Sequence, residues 1–92
     1  MKFTPGELVI SKAGRDAGRV FVVVKNVDEN YVLISDGDLR KIEKPKKKKI
    51  KHIESCGIII DSIKERLENN IRVTNADIRK QIKAYTLNDK EV

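Results

Sequence analysis

Gly6-Glu7-Leu8-Val9-Ile10-Ser11-Lys12-Ala13-Gly14-Arg15-Asp16-Ala17-Gly18-Arg19-Val20-Phe21-Val22-Val23-Val24 reads as two β-strands joined by a glycine-bounded loop. Over Gly6 to Lys12, Leu8 and Ile10 share one face while Glu7, Val9 and Ser11 share the other, the period of a strand. Arg19 to Lys25 holds four valines and Phe21, β-branched and aromatic residues that favour strand over helix. Both of its faces are apolar, Val20/Val22/Val24 and Phe21/Val23. One face is therefore expected to fill a core and the other to need cover from a further element. In the loop between them, Gly14 and Gly18 flank Arg15 and Asp16, and Arg19 opens the second strand. Glycines there let the backbone turn sharply and come close to a partner, with Arg15 and Arg19 placed to meet phosphates. The plainer alternative is a turn in which Arg15 pairs with Asp16 or Glu7.

Outward from this hairpin the same pattern continues. Asn26 to Asn30 is a polar turn, Tyr31 to Ser35 a strand, and Asp36-Gly37-Asp38 a turn, since glycine supplies a positive φ at no steric cost. Leu39 to Ile42 and Ile50 to Ile53 are expected as two further short strands. Five short strands with tight turns predict a small, strongly bent antiparallel barrel over residues 1–54. The period then changes. Ile59, Ile63 and Leu67, with Ile60 alongside, form a helical stripe within Ser55 to Asn70. A second helix is expected from Thr74, its N-cap, to about Tyr85, with Asp77 near the positive end of the dipole and Ile78/Ile82/Tyr85 as its stripe. Residues 55–87 are thus read as a two-helix extension, packed on the Phe21/Val23 face of the barrel, and 88–92 as a flexible tail. The fold class is mainly β with a C-terminal α appendage.

Ninety-two residues suit one domain, with 39% apolar and 37% charged side chains. A single cysteine, Cys56, excludes an internal disulfide framework. No apolar run approaches the roughly 18–20 residues of a membrane span, and Lys2-Phe3-Thr4-Pro5-Gly6 does not open a signal peptide. The expectation is a soluble cytoplasmic protein without a membrane partner.

The formal charge of +6 is concentrated. Between Arg40 and Lys51, eight bases (Arg40, Lys41, Lys44, Lys46, Lys47, Lys48, Lys49, Lys51) face Glu43 alone. That segment carries +7, and the rest of the chain sums to −1. A near-neutral body with one cationic segment points to a polyanionic partner. Pro45 fixes φ and removes a donor, so the run is expected to begin as an extended surface loop. Lysine suits phosphate attraction and reads bases poorly. A solvated edge that blocks strand-to-strand aggregation is the plainer alternative. Phe21 and Tyr31 are read as core. Without stacking platforms, the favoured target is folded RNA read through its backbone and shape.

Catalysis finds no constellation. His52 and Cys56 are four apart, but a structural zinc site needs four ligands, and a Cys-His nucleophile pair lacks an orienting partner. Asp36 and Asp38 read as turn residues rather than a carboxylate pair. No enzyme, cofactor, metal or small-molecule substrate is expected.

The stretch from Gly6 to Val24 resembles the KOW motif of ribosomal proteins and transcription-elongation factors, with Gly18 matching the motif's glycine. The continuation Asp36-Gly37-Asp38-Leu39-Arg40-Lys41-Ile42-Glu43 and Lys44-Pro45-Lys46-Lys47-Lys48-Lys49-Ile50-Lys51-His52-Ile53 is similar to small bacterial KOW-domain RNA-binding proteins akin to a large-subunit ribosomal protein of archaea and eukaryotes. The resemblance spans about residues 3–54. It implies a five-stranded SH3-like barrel and a ribosomal or ribosome-associated protein binding structured ribosomal RNA in translation. Arg15 and Arg19 would then position the RNA backbone, with the bases from Arg40 to Lys51 supplying most of the affinity. The alternative is a protein-interaction module of a transcription-elongation or ribosome-assembly factor, docking through the helices at Ile78 or Ile82.

Overall fold

The computed structural model describes residues 3–90, with the backbone alone for 87–90. Its elements are β1 (Glu7–Ser11), β2 (Val20–Asn26), β3 (Tyr31–Ser35), β4 (Lys46–Lys49), a single 3-10 turn (Ile50–His52), β5 (Ile53–Ile59), α1 (Asp61–Glu68) and α2 (Asn75–Lys90). The five strands form one antiparallel sheet in the order β4-β3-β2-β1-β5.

The expected closed barrel is corrected on one point. Among the described residues no ladder joins β4 to β5, so the sheet stays open by hydrogen bonding. It nevertheless curls. Val9, Phe21, Val23, Val32, Ile34 and Ile53 from four strands meet in one buried cluster, and the 3-10 turn carries the chain from one edge strand to the other. Register shifts between Val23 and Lys25 and between Glu7 and Val9 mark the irregularities that sharpen such a bend.

Two expected strands fall elsewhere. Leu39 to Ile42 is a loop, because side chains capture the backbone groups a ladder needs. Asp36 Oδ1 accepts from the N–H of Asp38 at 3.0 Å and of Arg40 at 2.8 Å. Ser35 Oγ donates to Arg40 O at 2.6 Å. The fourth strand is the lysine run itself, Lys46–Lys49, paired along Tyr31–Ile34, in place of the expected surface loop. Its alternation is one of position: Lys46 and Lys48 face the curl, while Lys47 and Lys49 face out. The fifth strand starts at Ile53 and consumes residues expected as the first turns of a helix. Val9 and Ile10 of β1 offer partners to Ser55 and Glu54. Gly57, at φ +77°, adopts a conformation a helix interior excludes.

The helices cover the opposite face of the sheet from the one expected. Ile60, Ile63, Val73 and Ile78 close over Leu8 and Val22, with Val20, Leu67, Ile82 and Tyr85 around them. The Phe21/Val23 face is occupied by the curl of the sheet. Thr74 caps α2 as expected. Its Oγ1 accepts from Asp77 N at 3.1 Å, and its own N–H donates to Asp77 Oδ2 at 3.1 Å, a reciprocal capping box. The helix continues through Lys90, so of the expected tail only residues 91–92 lie outside the described residues. Ile78 is fully buried and cannot serve as a docking contact.

Because β2 is buried on both faces, it couples the core inside the curl of the sheet to the core under the helices. Truncating Ile78 to Ala should cost about 2–5 kcal/mol. Strand and helix signals should then melt in one coincident transition, read by circular dichroism beside the fluorescence of a tyrosine probe. A helix signal lost before the sheet would show residues 55–87 to be a separable appendage.

Candidate nucleic-acid interface

The loop between β1 and β2 is built around the carboxylate of Asp16. Ser11 Oγ donates to Asp16 Oδ1 at 2.9 Å, and Lys48 Nζ donates to the same oxygen at 2.9 Å. Lys46 Nζ reaches Oδ2 at 3.2 Å. Lys48 Nζ also donates to Ala13 O at 2.9 Å. Burial alone would raise the Asp16 pKa, but the hydrogen bonds from Lys48, Ser11 and Lys46 more than offset it and hold the carboxylate well below its usual range. Two inward-facing lysines of β4 thus reach across the open end of the sheet and fix the loop. Within it, Gly18 takes φ +89°, and a β-carbon there would meet nothing, so the demand for glycine is conformational rather than spatial. Gly14 lies at the exposed tip.

A second loop, residues 36–45, stands beside the first. Arg19 Nη2 donates to Asp36 Oδ2 at 2.9 Å and links the two. Desolvation works against the charge on Asp36, but the N–H groups of Arg40 and Asp38 and the Arg19 guanidinium lower its pKa. The N-terminus of α2 pins this loop from below. Arg79 Nη1 donates to Gly37 O at 2.7 Å, and Ile42 N donates to Asn75 Oδ1 at 2.8 Å. Gly37 sits at φ +73°, and a β-carbon on it would lie 2.4 Å from Asn75 O, so no other residue lets the helix approach.

The sequence-predicted cations divide accordingly. Arg15, Arg40, Lys41, Lys44, Lys47, Lys49 and Lys51 are exposed. Lys47 lies over the Tyr31 ring, 4.6 Å from its centroid. Arg19 is exposed but paired, Lys46 is half-buried and paired, and Lys48 is buried at 6% exposure. Arg15 does not pair with Asp16, whose oxygens are taken by the two lysines. Sequence reasoning missed Asn75 and Arg79. Their positions in the first turns of the helix capped by Thr74 were their only local trace.

His52 and Cys56 are half-buried, in the 3-10 turn and in β5. Among the described residues no group of three His, Cys, Asp or Glu side chains is placed to hold a metal, and no helix is long and apolar enough to cross a membrane.

No family model matches the chain. It is similar to large ribosomal subunit protein eL14 of Staphylothermus marinus, 39% identical over 56 residues, which cover 61% of this chain and 58% of that protein. The same protein of Pyrobaculum arsenaticum is 47% identical over 49 residues, 53% of this chain and 48% of the relative. That of Desulfurococcus amylolyticus is 37% identical over 49 residues, 53% of this chain and 51% of the relative. The chain spans about half the length of the curated relatives it matches. All three are archaeal, and the bacterial setting expected from the resemblance finds no support in them.

Two outcomes test the loop anchor. Lys48→Met keeps the aliphatic stem but strips Asp16 of its buried partner, and should cost roughly 3 kcal/mol in urea unfolding. Lys47→Met, on the outer face, should leave the midpoint in place. For pH, a depressed carboxylate stabilises fully above its unfolded value, here 3.8, and its contribution is lost as pH falls toward the folded one. The stability gap between wild type and Asp16→Asn should therefore hold steady from pH 7 to about 5 and shrink below about 4.

Proposed function

We propose that this chain is a non-catalytic RNA-binding protein of the large ribosomal subunit, gripping structured ribosomal RNA in the cytoplasm through the face that carries the two loops. The observation that carries this reading is the arrangement of charge. Arg15, Arg40, Lys41 and Lys44 are exposed on loops that are themselves locked by Asp16 and Asp36, and Lys47, Lys49 and Lys51 add exposed charge on β4 and the turn after it. Phosphates then meet donors that need little further ordering, and association loses less entropy on closing the contact. The similarity to proteins named large ribosomal subunit protein eL14 supplies the ribosomal setting.

In this reading the sheet is a KOW-type, SH3-like barrel left open between β4 and β5. Arg15 at the loop tip and Arg40 on the neighbouring loop position the RNA backbone. Lys41, Lys44, Lys47, Lys49 and Lys51 contribute long-range attraction. Lys46 and Lys48 act on RNA through the loop they hold, and Arg19 does so through Asp36. Gly14 and Gly18 let the loop tip come close to the backbone. Partners are ribosomal RNA and neighbouring ribosomal proteins.

Titration against a structured ribosomal RNA fragment, an unstructured RNA and duplex DNA at several salt concentrations tests the reading. Structured RNA should bind selectively near physiological salt. Replacing Lys47, Lys49 and Lys51 by Ala should reduce the salt slope by about 2–3 without unfolding the protein. Arg15→Gln should weaken structured RNA more than duplex DNA. Equal binding to all three nucleic acids that vanishes with salt would reject recognition by the loops and leave only a generic polyanion patch.

A further inference from the structure

Between the two loops lies a cleft of about 370 Å³, lined by Arg15, Asp16, Arg19, Phe21, Leu39 and Arg40. Its volume falls at the lower end of the roughly 300–1,000 Å³ typical of small-ligand sites. Two of its charges are already satisfied: Asp16 by the β4 lysines and Arg19 by Asp36. Among the described residues neither Arg15 nor Arg40 takes part in an ion pair. The cleft therefore presents two uncommitted guanidinium groups above an apolar element.

That apolar element is Leu39. It is 67% exposed, the most exposed large hydrophobic residue of those described, and belongs to neither core cluster. It stands between Asp38 and Arg40, on a turn whose backbone is held by Asp36 and Ser35 rather than by any contact of the leucine itself. Nothing in the folding of the chain uses it. An aliphatic side chain carried into water on a braced turn, beside two guanidinium groups, matches one kind of ligand, a flat heterocycle carrying a phosphate. The heterocycle packs on the leucine and on a guanidinium plane, and the phosphate takes the forked donors.

We propose that this cleft receives a single unpaired nucleotide of the bound RNA, its base against Leu39 and its phosphate between Arg15 and Arg40. The proposal rests on the RNA-binding reading above and sharpens it. Recognition by backbone and shape, expected from the scarcity of aromatic residues, is supplemented by one extruded base that needs no aromatic ring. Phe21, which closes the bottom of the cleft, is itself only 1% exposed and acts as floor rather than as a stacking surface.

The test uses the full chain and a set of RNA hairpins identical except at one position: fully paired, or carrying one bulged A, C, G, U or 2-aminopurine. Bulged hairpins should bind about tenfold more tightly than the paired one. The emission of bulged 2-aminopurine should change saturably on binding. Leu39→Ser should bring the ratio of bulged to paired affinity close to 1. Val27→Ser, an exposed apolar residue in the hairpin between β2 and β3, should leave the ratio as it is. Circular dichroism of Leu39→Ser should match wild type, since the side chain packs in neither core. Equal affinity for bulged and paired hairpins would overturn the cleft assignment and leave RNA binding standing. An undiminished bulge preference in Leu39→Ser would also overturn it. Absence of binding to every hairpin would overturn the RNA reading and the cleft with it. Free adenosine monophosphate binding as tightly as a bulged hairpin would replace it with a site for small nucleotides.

Discussion

The carboxylate of Asp16 is the constraint on which the presenting face depends. It is nearly buried, and an isolated charge there would be strongly unfavourable. Two lysines and a serine satisfy it, and the lysines come from the strand at the far edge of the sheet. The ion pair therefore brings the first loop to β4, across an open end where no ladder does so. The same contact explains why Lys48 is tolerated on the inward face of β4. Its stem runs alongside the core and its ammonium emerges beside two acceptors, Asp16 Oδ1 and Ala13 O.

A second consequence concerns β2. Its five consecutive apolar residues face two cores of unlike origin, one made by the curl of the sheet and one by the helices. The helices are thus not ornaments on a finished barrel. They seal Leu8 and Val22, and through Asn75 and Arg79 they hold the turn at Gly37. Sheet, helices and both loops form one connected set of constraints that ends at Arg15 and Arg40.

The sequence made the first three strands legible because the first alternates with period two, the second and third are short runs rich in β-branched and aromatic residues, and turns containing Gly, Asn or Asp separate them. The helix cap at Thr74 was legible for a similar reason, since a capping box is local chemistry. The fourth and fifth strands were not. A run of four lysines carries no alternation of residue type, and its strand character comes from pairing with Tyr31–Ile34, which lies more than ten residues away in the chain. Leu39 to Ile42 has strand-like composition, but Ser35 and Asp36 claim its backbone. The cationic surface was visible as composition, yet the division between exposed Lys47 and buried Lys48 needed the register of β4. The pinning role of Asn75 and Arg79 was invisible, because their partners lie 33 and 42 residues away.

Those separations have a bearing on time. One wall of the cleft is set by a bond between residues 32 apart, and the other by a bond between residues 42 apart. Contacts that close long stretches of chain form late, after local turns and hairpins have reduced the search. A partly made chain already carries its lysines, but it lacks the walls. Only a chain that extends into α2 can close the contact between Arg79 and Gly37 that holds the second of them.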